Sequence, residues 1–221
     1  MSDNPTRTQV HLVRHGMVEN PTGVLYGRLP DFHLSEVGRQ MADLVAEAVA
    51  DWDIVQLRCS PLERARETMQ PIAETLGLPV TIDGRVIESA NYLEGKRFDG
   101  SRNSAFTDPR NWWYFRNPLR PSWGEPYKEV AARMKLAIHE AAAEAEGHQA
   151  LIVSHQLPIW IARLDVEGRR FVHDPRQREC TQASITTFTF IDGRITGVSY
   201  AEPAAALLPG KKKSKKFVAG A

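Results

Sequence analysis

Cysteine is scarce in this chain: Cys59 and Cys180 are the only two among 221 residues. That excludes a disulfide framework and points to a reduced compartment. Apolar runs are short as well, none nearing the roughly 18 residues that a membrane-crossing helix needs. The opening Met1-Ser2-Asp3-Asn4-Pro5-Thr6 is polar, without the apolar segment of a secretory leader, so a cytoplasmic protein with no membrane partner is expected. Neither cysteine has a Cys-x-x-Cys partner, and no metal set is expected. No internal repeat is visible. Acidic and basic groups nearly cancel, at net +1, but five lysines crowd into Lys211–Lys216, and residues 1–210 carry 23 basic against 27 acidic groups. The mildly acidic body argues against a nucleic-acid partner, although the lysine tail taken alone would be compatible with one.

What remains is an ordinary globular composition, 42% hydrophobic and 25% charged, long enough for one sizeable domain. Thr8 to Val13 alternates as a strand and ends at Arg14-His15-Gly16, so a guanidinium and an imidazole emerge where a buried strand opens into a loop. A loop rich in Gly, Pro and Asn leads to Ser35, an N-cap signal, and to Val37, Met41, Leu44, Val45, Ala48 and Val49 at helical spacing. Ile54–Cys59 predicts a second strand. Ser60-Pro61-Leu62-Glu63 predicts a capped helix start, with proline at the first helical position. Val80–Ile82 predicts a third strand. Val130 to Ala141 marks a long amphipathic helix, and Ala150–Ser154 a continuously apolar, central strand. A helix over Leu157–Leu164 and a hairpin turning at Asp192-Gly193 follow.

This alternation predicts an α/β fold, a three-layer sandwich with a mostly parallel central sheet, helices on both faces and an antiparallel edge. The expected organisation is a flexible residue 1–7 segment, a domain over 8–202, and a disordered Lys-rich tail over 203–221. A stretch of about 96–126 breaks the periodicity. It holds Trp112, Trp113, Tyr114, Phe115 and Trp123 with several arginines, and reads as a cap insertion, either a packed mini-core or a substrate platform.

Three predicted strands end in polar residues: Arg14-His15, then Cys59-Ser60 with Arg64 or Arg66 beyond, then Ser154-His155. Parallel strands bring such ends to one edge, where α/β proteins bind ligands. Two histidines and two arginines beside a helix N-terminus describe a site for a phosphoryl group.

Leu12-Val13-Arg14-His15-Gly16, Leu34-Ser35-Glu36-Val37-Gly38-Arg39-Gln40-Met41-Ala42, Ser60-Pro61-Leu62-Glu63-Arg64-Ala65-Arg66-Glu67-Thr68 and Val153-Ser154-His155 together resemble the histidine phosphatase (phosphoglycerate mutase-like) superfamily, in order and spacing over roughly residues 8–200. The resemblance implies that His15 forms a phosphohistidine and that Arg14, Arg64 and His155 hold the phosphoryl group. It implies an acid on the loop after the third strand, a place Glu88 holds with Glu94 as the competitor. Asn20, Arg28 and Gln156 are implied on the substrate side, and Gly124-Glu125 resembles a further family motif. No cofactor is implied. Met17 stands where relatives carry Glu or Gln, Asn20 comes one residue early, and the Trp-Asn pair of mutase members is missing. A phosphatase acting on a small phosphorylated metabolite is therefore favoured over a mutase, with a non-catalytic phosphate binder as the other alternative. The oligomeric state stays open, a homodimer included.

Overall fold

The computed structural model describes residues 5–97 and 123–208. Six strands form one sheet: β1 (Arg7–Arg14), β2 (Ile54–Cys59), β3 (Val80–Ile82), β4 (Gln149–Ser154), β5 (Ile185–Ile191) and β6 (Arg194–Ala201), in the order β3-β2-β4-β1-β5-β6. The first four in that order are parallel, and β5 and β6 add an antiparallel edge. Helices α1 (Glu36–Val49), α2 (Glu63–Leu76), α3 (Tyr127–Glu144) and α4 (Gln156–Val166) complete the layers. This is the three-layer α/β architecture that the sequence pattern predicts.

Each helix covers the face its apolar stripe dictates. Val10, Leu12, Ala150, Ile152, Phe188 and Phe190 pack with α3 and α4 on one side of the sheet. Val13, Leu57, Cys59, Leu151, Val153 and Ile185 pack with α1 and α2 on the other. Strand β4 therefore supplies alternate residues to both cores, which is why it reads as an uninterrupted apolar run. Ser35 caps α1 by accepting from the Gly38 amide at 3.1 Å, and α2 stops at Gly77, whose φ of +66° is left-handed.

Two local expectations change. Ser60 does not cap α2, which starts at Glu63; its hydroxyl is engaged elsewhere, as described below. Residues 203–208, assigned from composition to the tail, include a 3-10 turn at Ala205–Leu207, and Ala204 is buried against the α1–α2 core with Leu207 and Leu208 beside it. The lysine cluster Lys211–Lys216 and the aromatics Trp112 to Phe115 lie outside the described residues. The two ends of the cap stretch are tied down: Val24 pairs with Arg97 and Asn91 with Gly124. A Cβ on Gly124 would lie 2.3 Å from the Ala90 carbonyl oxygen, so only glycine permits that approach.

His11 shows what burial does to an imidazole in this sheet. It is enclosed between Thr187 and Gln149, which bond its two ring nitrogens at 2.8 and 2.9 Å, and it packs on Trp52. Burial lowers its pKa from 6.5 to about 4. The unfolded chain therefore binds a proton between pH 6.5 and 4 that the fold does not, and stability falls as pH drops through that window. The loss attributable to His11 is about 3 kcal/mol. Urea unfolding at pH 7 and pH 4.5 should show it, and His11→Phe should flatten the difference.

Candidate active site

The strand register brings the polar strand ends level. Arg14 lies opposite Ser154, and Cys59 opposite Val153. The ladder continues one step further, as the His15 amide donates to the Ser154 carbonyl and the Ser60 amide to the Val153 carbonyl. His15, Ser60 and His155 thus leave the sheet side by side at its carboxyl edge, where α2 and α4 also begin.

His15 is 1% exposed. Its Nδ1 lies 2.8 Å from the Gly16 carbonyl oxygen, which can only accept, so Nδ1 carries the proton and Nε2 keeps its lone pair. Burial, then Arg64 and Arg14, hold its pKa well below the usual histidine value; the ring is neutral. Gly16 makes this turn possible: a Cβ there would come within 2.4 Å of the Gly38 carbonyl oxygen in the first turn of α1. Its amide donates to Thr68 on α2.

His155 faces His15 with ring centroids 5.1 Å apart. Its Nε2 bonds the Ser60 hydroxyl at 2.7 Å, and that oxygen also accepts from the Leu62 amide. The single hydroxyl proton then points to Nε2, which fits a ring protonated at Nδ1. That Nδ1 is buried without a partner. Burial is the largest cause of a pKa well below the ordinary value, with Arg64 and His15 adding to it.

Two fully enclosed arginines flank the pair. Arg14 donates from one terminal nitrogen to the Cys180 carbonyl at 2.6 Å, and Arg64 donates to the Gly27 carbonyl at 2.5 Å while lying over the Tyr26 ring. Their remaining guanidinium nitrogens, Nε and one terminal nitrogen on each, are buried and unpartnered. Arg66, two residues along α2, is exposed. An unsatisfied buried donor costs about 1–3 kcal/mol, more when charged. Four such nitrogens and the His155 Nδ1 around one neutral imidazole are matched by a tetrahedral oxyanion.

Glu88 is buried on the loop after a 3-10 turn at Gly84–Val86. Burial raises its pKa, against the lowering effects of the Ser89 amide, Arg64, Arg178 and Arg133. The competitor Glu94 instead braces loop backbone, accepting from the amides of Arg28 and Asn91. Glu125 organises the Glu88 loop. It pairs with Arg28 and Arg133, and these two arginines donate to the Glu88 carbonyl; Arg133 also reaches the carbonyls of Arg85 and Ile87. Arg133→Met should leave Glu125 half-paired and three carbonyls short of a donor. A destabilisation of about 3 kcal/mol is expected in urea unfolding.

The other substrate-side residues are occupied. Asn20 uses its side chain to bind Val24 within its own loop, and Arg28 is ion-paired with Glu125, which also holds Arg133. Gln156 joins the site's periphery, donating to the same Cys180 carbonyl that Arg14 uses. Ser60, Thr68, Tyr26, Arg133 and Arg178 are participants that motif reasoning missed as side chains. Ser60 and Thr68 stood inside a quoted motif; Arg133 and Arg178 carried no local signal. Among the described residues no group of three His, Cys, Asp or Glu gathers as a metal set. His11 and His15, four residues apart, are separated along an extended strand. No described helix is long and apolar enough to cross a membrane.

A buried histidine with a free Nε2, ringed by unpaired cationic donors at the carboxyl edge of a parallel sheet, is a site suited to a tetrahedral oxyanion. The chain belongs to the histidine phosphatase superfamily, branch 1, whose family model matches residues 10–203. Rv0525 of Mycobacterium tuberculosis is 53% identical over 201 residues, covering 91% of this chain and 99% of that one. A protein of Erwinia tasmaniensis named "probable phosphoglycerate mutase GpmB" is 32% identical over 162 residues, 69% of this chain and 72% of its own. Among solved structures, the mycobacterial glucosyl-3-phosphoglycerate phosphatase Rv2419c superposes with a TM-score of 0.70 at 23% identity, covering 88% and 97% of the two chains. A phosphoserine phosphatase from Entamoeba histolytica gives 0.68 at 23% identity, covering 91% and 100%. At these identities the solved structures establish the shared fold.

Proposed function

We propose that this protein is a phosphomonoester hydrolase working through a phosphohistidine on His15, with a small phosphorylated metabolite as substrate. The observation that carries the reading is the set of unpaired buried donors on Arg14, Arg64 and His155 facing a neutral imidazole whose Nδ1 is already bound. In the first step the His15 Nε2 lone pair forms the P–N bond as the ester P–O bond breaks. Glu88, whose buried carboxyl holds its proton more tightly than a free one, gives that proton to the leaving oxygen. In the second step water attacks the phosphohistidine, Glu88 takes the water proton, and the P–N electrons return to His15 as inorganic phosphate forms. Arg14, Arg64 and the His155 Nδ1–H stabilise the charge on the equatorial oxygens through both steps. Fixed guanidinium groups supply the positive charge, so the scheme asks for no metal.

A mutase reading draws support from the Erwinia relative's name, and the same phosphohistidine would serve it. Rapid-quench mixing with a phosphorylated substrate separates the possibilities. A hydrolase shows an acid-labile, base-stable phosphoenzyme and releases inorganic phosphate. A mutase passes the label to a second hydroxyl compound instead. A non-catalytic binder shows neither label nor turnover across sugar phosphates, phosphoglycerates, nucleotides and aryl phosphates.

A further inference from the structure

Among the described residues, Arg178 is a cation near the site that no carboxylate contacts directly. It lies on the stretch between α4 and β5, two residues before Cys180, and is half-buried. Its Nε donates to His173 Nε2 at 2.8 Å and one terminal nitrogen donates to Gln156 Oε1 at 3.0 Å. Both partners are neutral. His173 Nδ1 bonds the Phe171 carbonyl oxygen at 2.6 Å, which fixes the proton on Nδ1 and leaves Nε2 as an acceptor. Gln156 is the first residue of α4, adjacent to His155, and its amide nitrogen donates to the Cys180 carbonyl that also receives Arg14. The Arg178 guanidinium is thereby aimed and held without losing any of its charge.

Its electrostatic neighbours make this unusual. Tyr127, Glu88, Cys180 and Arg14 lie within its field. Arg14 repels it, and Glu88, the one carboxylic acid of these four, is the group burial drives toward its neutral form. Arg28 offers the contrast, since it is in direct ion-pair contact at 2.9 Å with Glu125, a carboxylate it shares with Arg133. Among the described residues Arg178 forms no ion pair. The phosphoryl group is already matched by Arg14, Arg64 and His155, so a further uncompensated guanidinium on the Glu88 side calls for a second anion.

We infer that Arg178, oriented by Gln156 and His173, binds a second anionic group on the leaving-group part of the substrate, a carboxylate or a second phosphate. This rests on the hydrolase reading and narrows it: the preferred substrates are phosphomonoesters whose alcohol portion is itself charged. Arg178 is then a specificity-determining residue. Its fork geometry favours a planar carboxylate or a phosphate equally, and the choice between them falls to the substrate series.

The test compares kcat/KM for three esters on wild type, Arg178→Gln and Arg178→Lys: a phosphomonoester with a neutral alcohol (glycerol phosphate), one bearing a carboxylate (phosphoglycerate), and a sugar bisphosphate. Wild type should prefer at least one charged ester. Arg178→Gln should lower that preference by about 10–100-fold, mostly through KM, and Arg178→Lys should restore part of it. Whichever charged ester loses more identifies the second anion. No preference in wild type, or an equal loss on all three esters, overturns the inference while leaving the hydrolase reading intact. No turnover of any ester and no phosphoenzyme overturns both.

Discussion

His15→Ala should lower phosphomonoester turnover by on the order of 10⁵–10⁶-fold and abolish the acid-labile phosphoenzyme. The size follows from the geometry. Among the described residues, the Nε2 lone pair of His15 is the one both unbound and surrounded by the donors that would stabilise the transferring group, because its Nδ1 is committed to the Gly16 carbonyl. Removing the ring leaves Arg14, Arg64 and His155 in place, so inorganic phosphate should still bind, and salt-sensitive binding with no turnover is the expected signature of the variant. Thermal unfolding of the alanine variant guards against a folding artefact. Turnover within tenfold of wild type, or a label that survives the substitution, would remove His15 from the nucleophile's role.

The second large effect is expected at Glu88. Glu88→Gln should cost about 10²–10⁴-fold on an alkyl phosphate, whose alkoxide needs a proton to leave, and far less on an aryl phosphate that departs unaided. The pH dependence carries the sign. Burial raises the Glu88 pKa above the usual carboxylate value, so the proton it must donate is lost as pH rises through the folded-state pKa, and the alkaline limb of kcat/KM falls. Burial with Arg64 and Arg14 lowers the His15 pKa, so the nucleophile stays neutral well into acid and only then is protonated. The optimum should lie on the acidic side, and Glu88→Gln should erase the alkaline limb for the alkyl ester. A wild-type rate that climbs steadily from pH 5 to pH 9 would contradict the assignment.

Motif order and apolar periodicity were enough to expect the sheet, its two covered faces and a cluster of Arg14, His15, Arg64 and His155 at one edge. These features are local: alternation in β1, the continuous run in β4, and polar residues at strand ends. Resemblance favoured Arg64 over Arg66 and Glu88 over Glu94, but spacing alone separated neither pair, because a few residues' difference along a helix or loop turns a side chain from core to solvent. In the fold Arg64 is buried and Arg66 exposed, and Glu94 accepts from backbone amides of its own loop region. Ser60 looked like a helix cap by composition, and in the fold the imidazole of His155 takes its hydroxyl. Asn20 and Arg28, placed on the substrate side by resemblance, spend their polar atoms on Val24 and on Glu125 with the Glu88 carbonyl.

By itself the sequence determined the layered α/β architecture and which residue types could meet at the sheet's carboxyl edge, because hydrophobic periodicity and strand termini are written in consecutive residues. Only the tertiary structure decided the protonation geometry and the charge balance. The free Nε2 of His15 depends on where the Gly16 carbonyl turns, the unpaired nitrogens of Arg14 and Arg64 depend on every neighbour that failed to reach them, and the uncompensated charge of Arg178 depends on two neutral partners, one on α4 and one five residues upstream. Hydrogen bonds and ion pairs are settled by which groups come within about 3 Å of one another. Distances of that kind exist only once the chain has folded.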